Sequence, residues 1–185
     1  MAAIAQTLAQ KPGKSLCHLD LELFLFAGTS QPLAVCAGAT ALVLYNFVYT
    51  PLKYKSIWAI IPGAICGALP PYIGWLAGQG PLFSPVILGG VLLLVIWQIP
   101  HFWLLARLYG EQYENAGLPT PAAALAPRQF QRITVNWIIL TAFFGLLLAG
   151  VHRIALPWNF LALVGSLLIA VAAIGYLRGE PERAA

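Results

Sequence analysis

Charged residues punctuate this chain at wide intervals, and the uninterrupted apolar runs between them are its dominant pattern. No Asp, Glu, Lys or Arg occurs between Glu22 and Lys53, Lys55 and Arg107, Arg132 and Arg153, or Arg153 and Arg178. Each interval can hold a membrane span, because about 20 apolar residues cross roughly 30 Å of hydrocarbon. The interval from Ser56 to Ala106 has room for two, with Gly78-Gln79-Gly80-Pro81 as the turn between them. Five spans are therefore predicted, at 32–50, 57–77, 84–106, 132–151 and 157–177. A further candidate, Leu16–Gly28, is short and carries His18, Asp20 and Glu22. Ionisable groups in lipid cost a few kcal/mol each, so this segment reads as a span remnant or an interfacial stretch.

Within these spans the prolines and glycines are unevenly distributed. The second contains Pro62, Pro70 and Pro71, which are expected to interrupt its hydrogen-bond ladder. Freed carbonyls are tolerated in a bilayer only where protein or a cavity satisfies them, so the span is either a tightly packed kinked helix or one bent around a ligand. Gly63 with Gly67, and Gly74 with Gly78, repeat a small-xxx-small spacing that allows close helix approach. The third span ends Trp97-Gln98-Ile99-Pro100-His101-Phe102-Trp103, where Pro100 is expected to break the helix. Its aromatic residues suit an interfacial belt. His101 is either a satisfied packing histidine or a functional one, since an imidazole at that depth needs a partner.

Composition supports this picture: 60% of the 185 residues are hydrophobic and 9% charged, against about 25% charged in a soluble domain. The fold class is all-α, a multi-span transmembrane bundle, with residues 1–30 as an N-terminal segment and 31–185 as the membrane domain. Cytoplasmic loops are enriched in Lys and Arg. If the end after residue 50 faces the cytoplasm, that side receives Lys11, Lys14, Lys53, Lys55, Arg107, Arg128, Arg132, Arg178 and Arg183, and the other only Arg153. The polar loop 107–131 and the C-terminus are then inside. Topology and anionic headgroups account for the net charge of +4 without a nucleic-acid partner. Cys17, Cys36 and Cys66 form no CxxC pair and indicate neither zinc nor a disulfide framework. Met1–Lys14 lacks the apolar core of a cleavable signal peptide.

Candidate chemistry is limited by six acidic residues, Asp20, Glu22, Glu111, Glu114, Glu180 and Glu182. Glu111 and Glu114 would share a helix face. The two could hold one magnesium ion, which takes one or two carboxylates plus waters and substrate phosphates, or could be plain surface. Lys53, Lys55, Arg128 and Arg132 suit an anionic phosphate ligand at a common vestibule, although positive-inside topology alone also predicts them. No Gly-rich phosphate loop, Ser/His/Asp set or metal-ligand histidine spacing occurs.

Four blocks then carry a resemblance. They are Tyr49-Thr50-Pro51-Leu52-Lys53; Pro62-Gly63-Ala64 with Gly67-Ala68-Leu69-Pro70-Pro71-Tyr72-Ile73-Gly74-Trp75; Trp97-Gln98-Ile99-Pro100-His101-Phe102-Trp103; and Tyr113 with Ala116-Gly117-Leu118-Pro119. In this order and spacing, over about residues 33–180, the chain resembles the protoheme IX farnesyltransferase (heme O synthase) family of UbiA-type intramembrane prenyltransferases. The resemblance implies a UbiA-like bundle in a bacterial inner (plasma) membrane, transferring a farnesyl group from farnesyl diphosphate to a vinyl group of heme b with magnesium. It places the second acidic motif at Glu111, Gln112 and Tyr113, a basic position at Lys53, and a heme-placing histidine at His101. Tyr49, Lys55, Arg128 and Arg132 are the further substrate-binding candidates.

The departures from that pattern are specific. The family's first acidic motif has no counterpart in Met1–Lys14, and Asp20 is the only aspartate. Gln112 stands where the family has an acidic residue, and the basic pair reads Lys53-Tyr54, with Lys55 as a possible substitute. A full-length relative is expected to have about three more helices before residue 30 and one after 178, which helix partners in another chain could supply. Two functions stay open from the sequence: the transferase, or a catalytically inactive relative that binds heme or lipid or pairs with other membrane helices.

Overall fold

A computed structural model describes residues 31–151 and 156–178, and all regular structure among them is helical. In chain order these are α1 (Pro32–Leu52), α2 (Ile57–Ala77), α3 (Pro85–Leu108), α4 (Gly110–Asn115), α5 (Pro121–Ala124), α6 (Pro127–Val151) and α7 (Leu156–Arg178). Among the described residues α1, α2, α3 and α6 are long and apolar enough to cross a membrane. The fifth expected span coincides with α7, which includes the apolar stretch Leu163–Tyr176. The segment Leu16–Gly28 lies outside the described residues.

The long helices pack in the order of the sequence: α1 on α2, α2 on α3, α3 on α6, α6 on α7. Small residues make this possible. Ala34, Ala64 and Ala68 are fully buried, which lets neighbouring backbones approach where lipid supplies no hydrophobic drive between helices. One core gathers Ala64, Ile99, Trp103 and Phe130 from α2, α3 and α6; a second joins Ala34 of α1 to Ile73 and Leu76 of α2.

The prolines interrupt hydrogen bonding without ending a helix, which corrects the break expected at Pro100. The α2 helix runs from Ile60 to Ala77 straight through Pro70 and Pro71, and Pro62 falls near its start. Pro100 likewise lies inside α3, which continues to Leu108. Each proline removes one backbone donor without ending the helix, as neighbouring helices and local adjustment permit in membranes. A real irregularity occurs where no break was foreseen: Leu44–Tyr49 of α1 is π-helical. Pro51 has no N–H for the carbonyl of Phe47 and crowds it. The widened turn sends the Thr50 N–H, and its Oγ1 at 2.8 Å, to the Tyr45 carbonyl instead. Regular α bonding resumes with the Lys53 N–H to the Tyr49 carbonyl at 2.9 Å.

The glycine spacing is half right. A Cβ on Gly63 would sit 2.9 Å from the Tyr49 ring, and one on Gly67 would overlap the Gln98 side-chain amide. At Gly74 it would meet nothing within 4 Å, and Gly78 caps the helix, so that pair makes no close approach. Gly67→Ala is therefore expected to destabilise the bundle by about 1–3 kcal/mol through overpacking, with Gly74→Ala unchanged, read by detergent-denaturant unfolding in mixed micelles.

The stretch expected as a polar loop, 107–131, is more ordered than its composition suggests. It holds α4, α5 and the first turn of α6, which begins at Pro127, five residues ahead of the expected start. Proline at the first helical position is pre-set for it, and the Gln129 Oε1 accepts from the Ala126 N–H at 3.3 Å, half of a capping box.

Candidate functional site

A cavity of about 380 Å³ opens among α1, α2, α3 and the α4–α5 segment. Its polar wall comes from α1 and the residue that caps its end: Tyr45, Tyr49 and Lys53 all line it. Steps of four residues overshoot an α turn by about 40°, but undershoot a π turn of about 4.4 residues by about 30°. The two errors offset across the π-to-α junction, so three side chains spaced by four keep to one line. The Tyr45 and Tyr49 rings lie 5.3 Å apart, and the Lys53 ammonium stands 6.0 Å from the centre of the Tyr49 ring and 5.1 Å from that of Tyr54.

Opposite, α2 contributes Ile60, Gly63, Cys66 and Gly67, and α3 contributes Phe102, Trp103 and Ala106. Gly63 is where the Tyr49 ring rests, so a side chain there would push the phenol off the wall. Pro70 and Pro71 cannot donate to the carbonyls one turn earlier, and those belong to Cys66 and Gly67. The proline pair thus leaves backbone acceptors on cavity-lining residues.

The lid is local chemistry in the α4–α5 connection. Gly117 adopts φ 67°, a left-handed conformation suited to glycine after a helix end. It lets the Leu118 N–H return to the Tyr113 carbonyl at 2.9 Å. That closure carries Leu118 and Pro119 onto the cavity beside Tyr113, while Thr120 caps α5 by accepting from the Ala123 N–H at 3.1 Å. Burial pushes the Tyr113 phenol above the ordinary tyrosine range, keeping it a neutral donor. It lines the same cavity as Tyr49.

Of the residues predicted from sequence, the cavity brings together Tyr49, Lys53 and Tyr113. Glu111 and Glu114 sit on α4 with Tyr113, both exposed. Gln112 is half-buried, and its Oε1 is buried without a hydrogen-bond partner. Lys55, Arg128 and Arg132 are exposed and outside the cavity wall. His101 is also outside it, stacked on Trp97 at 4.8 Å and tilted against Phe102, which does line the cavity. Sequence reasoning did not single out Tyr45, Cys66 or Trp103 as site residues. The four-residue spacing of Tyr45, Tyr49 and Lys53 was the available signal, visible only to a reader who allowed a π turn.

The cavity wall holds no carboxylate, and among the described residues no group of three or more His, Cys, Asp or Glu could hold a metal. Its side-chain polar groups are phenols, an ammonium, a serine, a thiol and an indole. A pocket so made favours an acceptor-rich, anionic ligand with an apolar tail.

The profile of the UbiA prenyltransferase family matches residues 21–185. The chain belongs to the UbiA prenyltransferase family. It is an integral membrane protein, as that membership and its four apolar helices require. Its relatives include a protoheme IX farnesyltransferase of Oleidesulfovibrio alaskensis, 38% identical over 149 residues, covering 80% of this chain and 52% of the relative. One of Geobacter sulfurreducens is 41% identical over 158 residues, covering 80% and 55%. Another, of Nitratidesulfovibrio vulgaris, is 34% identical over 166 residues, covering 86% and 57%. The chain spans about half the length of these curated relatives. No solved structure matches it. UbiA prenyltransferases are generally metal-dependent.

Proposed function

We propose that this chain acts in heme O synthesis, transferring a farnesyl group from farnesyl diphosphate to a vinyl group of heme b. The observation that carries the reading is the cavity itself, where Lys53, Tyr49 and Tyr113 converge beside an apolar wall of Ile57, Ile60, Gly63, Phe102 and Ala106. Prenyl diphosphates have that polarity, a dense anion on a hydrocarbon chain. Lys53 and the two phenols hold the diphosphate oxygens, and charge building on them as the carbon–oxygen bond breaks is met by donors already in place. The bond's electron pair leaves with the diphosphate, the vinyl π electrons form the new carbon–carbon bond, and the cation left on the vinyl carbon beside the porphyrin ring is captured by water with loss of a proton, giving a hydroxyl. Leu118 and Pro119 shield the allylic carbon from water.

A magnesium ion would be shared between this chain and its substrate. Glu111 and Glu114 offer hard oxygens on the helix that carries Tyr113, and two carboxylates suffice when substrate oxygens and waters complete the shell. Bound there, the ion would neutralise charge on the leaving diphosphate. His101, with the Trp97 stack, belongs to heme placement at the bilayer edge, and Lys55, Arg128 and Arg132 form a basic rim that draws anionic substrate. This rim faces the cytoplasm of a bacterial inner membrane, the side rich in Lys and Arg.

The carboxylate-free wall favours a second reading, a family member that binds heme or lipid, or pairs with other membrane helices, without turnover. Membranes containing the chain, supplied with heme b, farnesyl diphosphate and magnesium, are expected to form heme O, resolved by chromatography of extracted hemes. Heme or lipid binding with no product and little metal-dependent binding of farnesyl diphosphate would select the second reading; micromolar, metal-dependent binding of farnesyl diphosphate would count against it.

A further inference from the structure

Trp103 is the one cavity-lining side chain that is both deeply buried and left with an unused polar atom. It is 7% exposed, and its indole N–H is buried without an acceptor. A buried donor left unpaired is costly, because it loses its hydrogen bonds to water and gains none in return. The indole is nevertheless held firmly. Its ring stacks on Phe130 of α6 at 6.1 Å and packs on Ala64 of α2, the residue after the Gly63 that seats Tyr49. Phe130 is backed in turn by the Arg107 guanidinium at 5.5 Å, and Arg107 donates to the Tyr176 hydroxyl of α7 at 2.9 Å. The ring is thus buttressed by its neighbours on α2 and α6, while its polar atom stays unspent on a residue of the cavity wall.

We infer that the Trp103 indole N–H is a ligand-binding donor that accepts a partner only when the cavity is filled, and that this partner is an oxyanion. An indole donates and never accepts, and its neighbours on the wall are the Lys53 ammonium and the Tyr49 and Tyr113 phenols. Four donors from α1, α3 and α4 then converge on one acceptor-rich group. The inference rests on the reading of this cavity as the anionic substrate's site. Diphosphate and porphyrin carboxylate offer the same chemistry, and the test separates them.

The full chain, with indole nitrogens labelled by 15N, is reconstituted in lipid nanodiscs, and the Trp103 signal is assigned by single Trp→Phe replacements. Binding is followed independently by protection of Cys66, another wall residue, from a thiol reagent in a chain with the other two cysteines changed to serine. Saturating farnesyl thiodiphosphate is expected to move the Trp103 indole proton downfield, farnesol to leave it in place, and Trp103→Phe to weaken thiodiphosphate binding about tenfold with farnesol binding unchanged. A shift with protoporphyrin but not its dimethyl ester would support the inference with carboxylate as the oxyanion. An indole proton unmoved while Cys66 is protected overturns the inference and leaves the cavity reading standing. Failure of both ligands to protect Cys66 sinks both. Should Trp103→Phe not fold, the proton shift in the unaltered chain decides alone.

Discussion

Lys53→Met is expected to weaken farnesyl diphosphate binding about ten- to hundredfold, the worth of one or more hydrogen bonds to a charged group, while leaving farnesol binding unchanged. Methionine keeps the apolar stem against the Tyr49 and Tyr54 rings and removes only the ammonium, which stands 6.0 and 5.1 Å from those two ring centres. Lys55 is exposed and outside the cavity wall, so Lys55→Met should cost little and only at low salt, where long-range attraction is unscreened. Titration calorimetry in nanodiscs at two salt concentrations distinguishes the cases. Equal losses from the two variants would mean that a diffuse positive field, and not a seated ammonium, does the binding.

Phe130→Ala should have the largest effect on stability, about 3–5 kcal/mol. Phe130 is 1% exposed and joins α3 to α6 through Trp103, with Arg107 over its ring. Dispersion and packing hold membrane helices together more than burial from water does, so the void left by a missing ring has no compensating collapse. Phe130→Leu, which keeps most of the volume, should cost under about half as much. Detergent-denaturant unfolding measures both. A Phe130→Ala chain as stable as its parent would show that α3 and α6 are held elsewhere.

Span positions were legible because hydrocarbon thickness and charge spacing are coarse constraints, and both survive any detail of packing. Composition misled only at the polar edges. Arg128 and Arg132 hid a helix start that Pro127 and Gln129 in fact announce. The prolines misled for another reason: Pro70, Pro71 and Pro100 each delete a donor, but whether a helix ends there depends on neighbours that a single sequence does not display. Tyr49 and Tyr113 stood out only through the family resemblance of their blocks, and Lys53 also as a cation suited to phosphate; all three line the cavity. Trp103 was not, since nothing in its spacing separates an interfacial belt tryptophan from one sealed between Ala64 and Phe130 with its N–H idle.

Helices that meet chiefly in written order carry a consequence for biogenesis. Each span leaving the ribosome finds its docking surface in the one made just before it, so little loop-closure entropy stands between insertion and assembly. Maturation can then proceed stepwise within the bilayer, and the cavity wall drawn from α1, α2, α3 and the α4–α5 segment is fixed once α6 arrives to place Phe130 against Trp103.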